Sequence, residues 1–442
     1  MKEIIIYTPT ITSRHIYVFK LIFEEICHVG YELVDKIDLF QSSEKIKINY
    51  SRNRMSNDEI FVEADGLLSS RDIIEVDLNF FKENNKEYLF RTTQDSSYLH
   101  DIFSSVFYLV SRYEEYLPHL KDQFGRYLAS ESIAFKKGFL RKPVVNIWIQ
   151  EFVCFIKDFA STLEVKTASF SYISTIDIDN AYLYKGKGFV RTIALIVRSL
   201  LNLDFKNIRF MFSIFFERRK DPFDTYSFQF NLQKKYNIDV RYFILLGDYG
   251  LNDKNLSYSN SNVISLIKRL SDLALVGIHP SFRSNDGINI LQKEIARLED
   301  IQKRAVFFSR QHFLQLSLPE TYKRLISLGI TEDFTMGYAS ELGFRAGIAS
   351  PFSFYDLDME QPLSIKVYPF SITDDILKFN LQLNVEDVQN EIAEIIEAVK
   401  RINGTLISVW HNDTFSNFGV WKDWKNVYED MIKQIIYKDE NN

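Results

Sequence analysis

Ser174-Thr175-Ile176-Asp177-Ile178-Asp179-Asn180 decides how this chain is read. An apolar, β-prone run, Phe170-Ser171-Tyr172-Ile173, leads into it, and two aspartates stand two apart at its end. Residues two apart on a strand share a face, so both carboxylates emerge side by side where the strand stops. Acids held that close suit divided labour, one ionised on a metal and the other taking protons. Taken alone, the stretch also reads as a strand-end turn rich in Asp and Asn.

Beyond this strand, apolar runs at Val240 to Leu246, Leu273 to Ile278, Ala305 to Phe308, Thr331 to Met336, Ser364 to Ile372 and Thr405 to Val409 read as further strands. Helical patterns at Ile288 to Lys303, Thr321 to Leu328 and Val385 to Ile402 lie between them. Repeated strand–helix units imply parallel pairing, because parallel strands need long crossovers. About seven such units over residues 168–435 predict an α/β fold closed as a distorted (β/α) barrel. Before it, residues 1–95 alternate short apolar runs with polar breaks and predict a small α/β domain, with a helix at Tyr17 to Cys27. Residues 96–167 read as mainly helical, from Ile102, Val106, Val110 and then Trp148, Phe152, Phe155 at helical spacing. Arg112-Tyr113-Glu114-Glu115-Tyr116 reads as a solvated, charged helix end.

Hydrophobic content of 46%, charged content of 25% and 442 residues describe a folded globular chain of two or three domains. The net charge of −6 argues against nucleic acid as the main partner. With Cys27 and Cys154 the only cysteines, no disulfide framework is expected and a reducing compartment follows. Met1 to Tyr7 reads as an opening strand rather than an export signal, and no run of eighteen apolar residues predicts a membrane span. The expected location is the cytoplasm.

In a barrel of this kind chemistry gathers at the C-terminal strand ends. All three histidines of the second half, His279, His312 and His411, fall just beyond predicted strands, as does Arg310, and Asp333 lies near the fifth. Each has a bland reading: His279 as a turn residue before Pro280, His312 as a loop hydrogen-bonder, His411 beside Trp410 as a core histidine. The joint pattern favours a catalytic site. Its chemistry would be metal-assisted hydrolysis, with Asp179 and His279 on a divalent ion, Asp177 as base, Arg310 fixing Asp177, and His411 as acid.

At these residues the chain resembles the polysaccharide deacetylases of carbohydrate esterase family 4, whose fold is a NodB-type distorted barrel. Thr175-Ile176-Asp177-Ile178-Asp179-Asn180 resembles the family's Thr-Phe-Asp-Asp-Gly with one residue inserted between the acids. His279-Pro280-Ser281-Phe282-Arg283 resembles His-Ser/Thr-x-x-His, Arg310-Gln311-His312-Phe313 stands at Arg-x-Pro-Tyr, and Val409-Trp410-His411 at the late leucine–histidine motif. Gly343-Phe344-Arg345-Ala346-Gly347 is similar to a segment of divergent bacterial members, which also carry an extra N-terminal domain. The resemblance implies removal of an acetyl group from an N-acetylated sugar or polysaccharide precursor, with Asp177, His411 and Arg310 catalytic. It implies zinc or another divalent ion on Asp179 and His279, and Arg345, Asp333 and Trp410 near substrate. Arg283 stands where the family has its second metal histidine. A cation beside a metal opposes binding, so Arg283 is expected to point elsewhere and His312 to supply the missing ligand.

Residues 189–220 form an insertion rich in Leu, Ile and Phe, with Arg191, Arg198, Lys206, Arg209 and the closing triplet Arg218-Arg219-Lys220. It reads either as helices packed over the barrel mouth or as a basic amphipathic segment resting on an anionic membrane, which would suit a lipid-linked sugar. The rival to the enzyme reading is a catalytically inactive carbohydrate-binding or scaffold protein of a surface-polysaccharide pathway.

Overall fold

The computed structural model describes residues 2–166, 168–216 and 219–437. Thr167, the last residue of the segment expected to be mainly helical, and Glu217 and Arg218 of the insertion lie outside the described residues.

The N-terminal region is built on four parallel strands, β1 (Lys2–Tyr7), β2 (Gly30–Val34), β3 (Ile46–Ser51) and β4 (Ile60–Glu63), in the order β2-β1-β3-β4. The crossover helix starts earlier than its apolar pattern indicates. It runs Ser13–Phe19 and continues with π-helical winding through Lys20–Ile26. Thr12 supplies the cap: its hydroxyl accepts from the His15 backbone N–H, and the buried His15 side chain returns to the Thr12 N–H. A short antiparallel pair, β5 (Phe81–Glu83) and β6 (Lys86–Tyr88), follows.

Only two long helices, Ile102–Val110 and Val144–Phe159, form in the stretch expected to be mainly helical. Between them Pro118 cannot donate into a helix, and Gly125 and Gly138 take positive φ of 78° and 77°. Short turns replace the helix there.

The second sheet holds nine strands: β7 (Ser171–Ile178), β8 (Asp239–Ile244), β9 (Leu275–Ile278), β10 (Phe308–Ser309), β11 (Glu332–Asp333), β12 (Phe352–Asp356), β13 (Gln361–Val367), β14 (Ile372–Thr373) and β15 (Thr405–His411). Their order is β12-β13-β11-β10-β9-β8-β7-β15-β14, parallel throughout except for β12 against β13. The expectation of a mixed α/β fold with a parallel sheet therefore holds, but the sheet does not close: no pairing joins β14 to β12 among the described residues.

Two physical causes keep it open. The unanticipated strand β12 turns back antiparallel and is covered by the first helix, where Tyr17 Oη donates to the Ser353 carbonyl at 2.8 Å and Ser13 Oγ meets Tyr355 Oη at 2.6 Å. At the other edge β14 is two residues long, and an irregular loop fills the gap through Phe370 N–H to Met336 O (3.1 Å) and Thr405 N–H to Ala349 O (2.7 Å). Gly337 permits this loop, since a Cβ there would lie 2.2 Å from the Phe370 ring. One hydrophobic cluster runs from Ile4 through Ile102 and Trp148 to Ile435, so both sheets share a core.

Candidate metal centre

Parallel register sets the level at which the strands end. His411 on β15 and Phe243 on β8 both align with Asp177 on β7. Ile278 on β9 aligns with Ile244 on β8, and Ser309 on β10 with Ile278. The next residues along are His279 and Arg310. Beneath them Ile173, Phe243, Phe334, Phe370, Ile407 and Val409 form an apolar layer inside the curve of the sheet. Because side chains alternate, Asp177 continues the face of Ile173, and His411 that of Ile407 and Val409.

Asp179 faces two imidazoles. His279 Nε2 lies 3.2 Å from its Oδ1 and His312 Nε2 3.5 Å from its Oδ2, and one ligand atom from each of the three lies within 4.8 Å of the others. Both rings are held from behind. His279 Nδ1–H donates to the Arg310 carbonyl at 2.5 Å, and His312 Nδ1–H donates to Asp253 Oδ1 at 2.9 Å. A carbonyl and a carboxylate can only accept, so both Nδ1 atoms carry protons and the Nε2 atoms aim at Asp179.

Acceptors turned toward one point repel unless a proton or a cation sits among them. Asp179 Oδ1, buried and without a hydrogen-bond partner, marks that point. Burial opposes charge on His312, yet Asp179 and Asp253 push its pKa up to about 9. Burial likewise opposes charge on Asp179, and His312 and His279 hold its carboxyl well below the ordinary range. Two imidazoles and a carboxylate, each imidazole oriented by an outer acceptor, are donors that could hold a divalent ion and leave a position open. The residues fit a divalent ion.

Asp177 stands beside this centre, its Oδ2 3.8 Å from His279 Nε2 and its Oδ1 3.4 Å from Arg310 Nη1. The Arg310 guanidinium is wholly buried, lies over Phe243 at 4.9 Å, and donates from Nε to the Phe334 carbonyl at 3.1 Å. It can orient Asp177 without reaching solvent. On the opposite wall His411 Nδ1–H donates to Asp374 Oδ1 at 2.9 Å, while Asp374 also accepts from the His411 backbone N–H and the Thr414 hydroxyl. Burial disfavours the imidazolium, but Asp374 and Asp375 raise the His411 pKa well above its ordinary value. Asp179, His279, His312, Asp375, His411 and Arg126 line one cavity of about 170 Å³.

Three expected substrate contacts are not at this cavity. Trp410 points to the opposite face from His411, packs on Tyr428, and donates from Nε1 to Ser408 Oγ. Asp333 is fully buried, accepting from the Ser309 and Thr335 hydroxyls. Arg345 is bound bidentately by Glu115 at 2.7 and 2.9 Å and donates to the Gly337 carbonyl. The Arg112–Tyr116 segment is therefore not a solvated helix end: the Arg112 and Glu115 side chains are buried in this seam. Arg283 is exposed in a short 3-10 turn and does not line the cavity.

Four residues of the site had no place in the sequence reading. Thr373-Asp374-Asp375 does carry a signal, two acids following a short apolar strand, like Asp177 and Asp179. Asp253 and Arg126 carry none, since each comes from a polar loop that only folding brings near His312 and the cavity. We expect His312→Ala to weaken zinc binding at least tenfold, as losing a ligand should, and Arg283→Ala to leave it unchanged. Isothermal titration with zinc checks this, and the reverse order would reject His312 as a ligand.

Residues 4–161 match a family model described as a family of unknown function, DUF7033. No curated protein matches the chain. Among solved structures, a protein from Mycobacterium smegmatis assigned as a polysaccharide deacetylase is 12% identical, with 63% of this chain and 88% of that chain covered and a TM-score of 0.38. A mutant of a CE4 family pseudoenzyme with restored enzymatic activity is 12% identical, with 60% of this chain and 64% of that chain covered and a TM-score of 0.23. At scores this low neither likeness bears on what this chain does.

Proposed function

We propose that this protein is a metal-dependent hydrolase that removes the acetyl group from an N-acetylated sugar or a polysaccharide precursor. The observation that supports it most is the convergence of Asp179, His279 and His312 within 4.8 Å, each ring held at Nδ1 by an acceptor. The motif resemblance at Asp177–Asp179, His279 and His411 supports the acetamide as substrate group.

A divalent ion, expected to be zinc, supplies polarisation of the acetamide carbonyl and acidification of water toward a pKa of about 7. Asp177, fixed by Arg310, takes the proton from the attacking water at the oxygen nearest His279. His411 gives its Nε2 proton to the departing sugar amine, and Asp374 holds the ring's other nitrogen and favours its charged form. Water adds to the carbonyl carbon, the C–N bond breaks, and acetate and the free amine leave. Each proton transfer contributes roughly 10²–10⁴ in rate. The small cavity admits an acetamide and one sugar ring edge, with further sugars outside it.

Purification at neutral pH followed by metal analysis and acetate release from N-acetylated hexosamine oligomers tests this. One divalent ion per chain is expected, with activity lost to a chelator and restored by zinc. A chain that retains no metal, releases no acetate and still binds the oligomers would instead be a carbohydrate-binding protein.

A further inference from the structure

The insertion after β7 folds as two helices, Gly188–Leu201 and Phe205–Phe216, that carry apolar side chains on more than one face. The inner faces make a small core of their own: Leu195, Ile196, Ile208, Met211 and Ile214 pack around Tyr184. That core already accounts for the pairing of the helices. A second stripe faces outward. Phe189, Ile193, Val197 and Leu201 recur every fourth residue along the first helix, with Phe189 81% and Leu201 80% exposed. Phe205, Phe212 and Phe216 continue it along the second, with Phe216 76% exposed. Large apolar side chains gathered this densely on a surface mark a contact site, because scattered single ones are the norm.

The hairpin sits at the same end of the sheet as the cavity. Arg191 stacks on Tyr249 at 4.1 Å and donates to the Asn255 and Lys254 carbonyls, in the loop that also supplies Asp253 to His312. Phe210 stacks on Phe418 at 5.5 Å, in the segment following His411. Those two loops extend the outer apolar surface with Leu251, 86% exposed, and Val420.

Charge identifies the occupant. Residues 185–220 hold nine Lys and Arg against Asp204 and Glu217, whereas the whole chain has 53 basic and 59 acidic residues. Arg198, Lys206 and Arg209 are exposed among the outer apolar residues and pair with no carboxylate among the described residues. Among the described residues no helix is long and apolar enough to cross a membrane. A cationic, apolar-faced hairpin too short to span is the form that lies in the interface of an anionic bilayer.

We propose that the 188–216 hairpin docks this protein on an anionic phospholipid surface, with the cavity end of the sheet turned toward the bilayer. Resting on the hydrolase reading of the cavity, the substrate class narrows to a saccharide held at that surface by a lipid anchor.

Flotation of the full chain with phosphatidylcholine vesicles, with and without phosphatidylglycerol, tests the docking. Recovery with the anionic vesicles is expected to exceed that with neutral ones at least tenfold and to fall as salt is raised. Phe189→Ser/Phe205→Ser/Phe216→Ser should abolish it. Arg198→Glu/Lys206→Glu/Arg209→Glu, at exposed positions that folding does not need, should lower it by about two orders of magnitude. No flotation of the wild type, or equal flotation with both vesicle types, overturns the proposal. So does a wild-type dimer in solution that the triple serine variant converts to a monomer, since a second copy would then cover the face. His279→Ala should float like the wild type while releasing no acetate, so docking and chemistry stand or fall separately.

Discussion

Asp177→Asn should release acetate at least a hundredfold more slowly than the wild type while still holding one divalent ion per chain. Asn keeps the shape of Asp and its place beside Arg310, but its amide cannot take a proton from water. General-base catalysis is worth roughly 10²–10⁴ in rate. Metal content should not move, because Asp179, His279 and His312 make up the converging donor set and Asp177 is not among them. Steady-state acetate release beside metal analysis of the same sample is the measurement. If the variant loses its ion, Asp177 is a ligand and the division of labour between the two acids is wrong.

The second large effect is on stability. Glu115→Ala should lower the urea unfolding midpoint by an amount equivalent to about 3–5 kcal/mol, the usual cost of stranding buried charge. Glu115 is buried and accepts from Arg345 at 2.7 and 2.9 Å and from Arg112 Nε at 2.7 Å. Removing it leaves Arg345 without a carboxylate and Arg112 with Glu114 alone, in the seam between the N-terminal region and the 337–350 loop. The Arg112 guanidinium also donates to the Arg345 carbonyl, so the backbone of that loop would lose its partner's alignment as well. Burial works against the Glu115 charge, but Arg345 and Arg112 hold its pKa down to about 2 against an ordinary 4.5. A carboxyl depressed by folding stabilises fully above its unfolded value. This contribution is therefore complete above pH 4.5 and is lost as pH falls from there toward 2. A Glu115→Ala midpoint within experimental error of wild type at pH 7 would show that the seam contributes little.

Much of the site could be read before folding. Asp177, Asp179, His279, Arg310, His312 and His411 all followed apolar runs, and the parallel sheet does place them at one end. The strand pattern also anticipated the alternation of strands and helices. It failed where local signals are silent about edges. Phe352–Asp356 gives no strand signal because it lies beside a turn and pairs backward, and Ser364 to Ile372 reads as one strand where β13 and β14 are separate, on opposite sides of the gap. The resemblance of Gly343–Gly347 implies Arg345 near substrate, yet its partner Glu115 lies 230 residues away.

By itself, then, the amino-acid order determined which side chains stand at strand ends, since a period of two and a run of apolar residues are local properties of the chain. Tertiary structure alone decided which acceptors stand behind each imidazole, which face Trp410 takes, and where the sheet stops. Those depend on register between strands and on packing of the first helix against β12, contacts between segments hundreds of residues apart that no local pattern encodes.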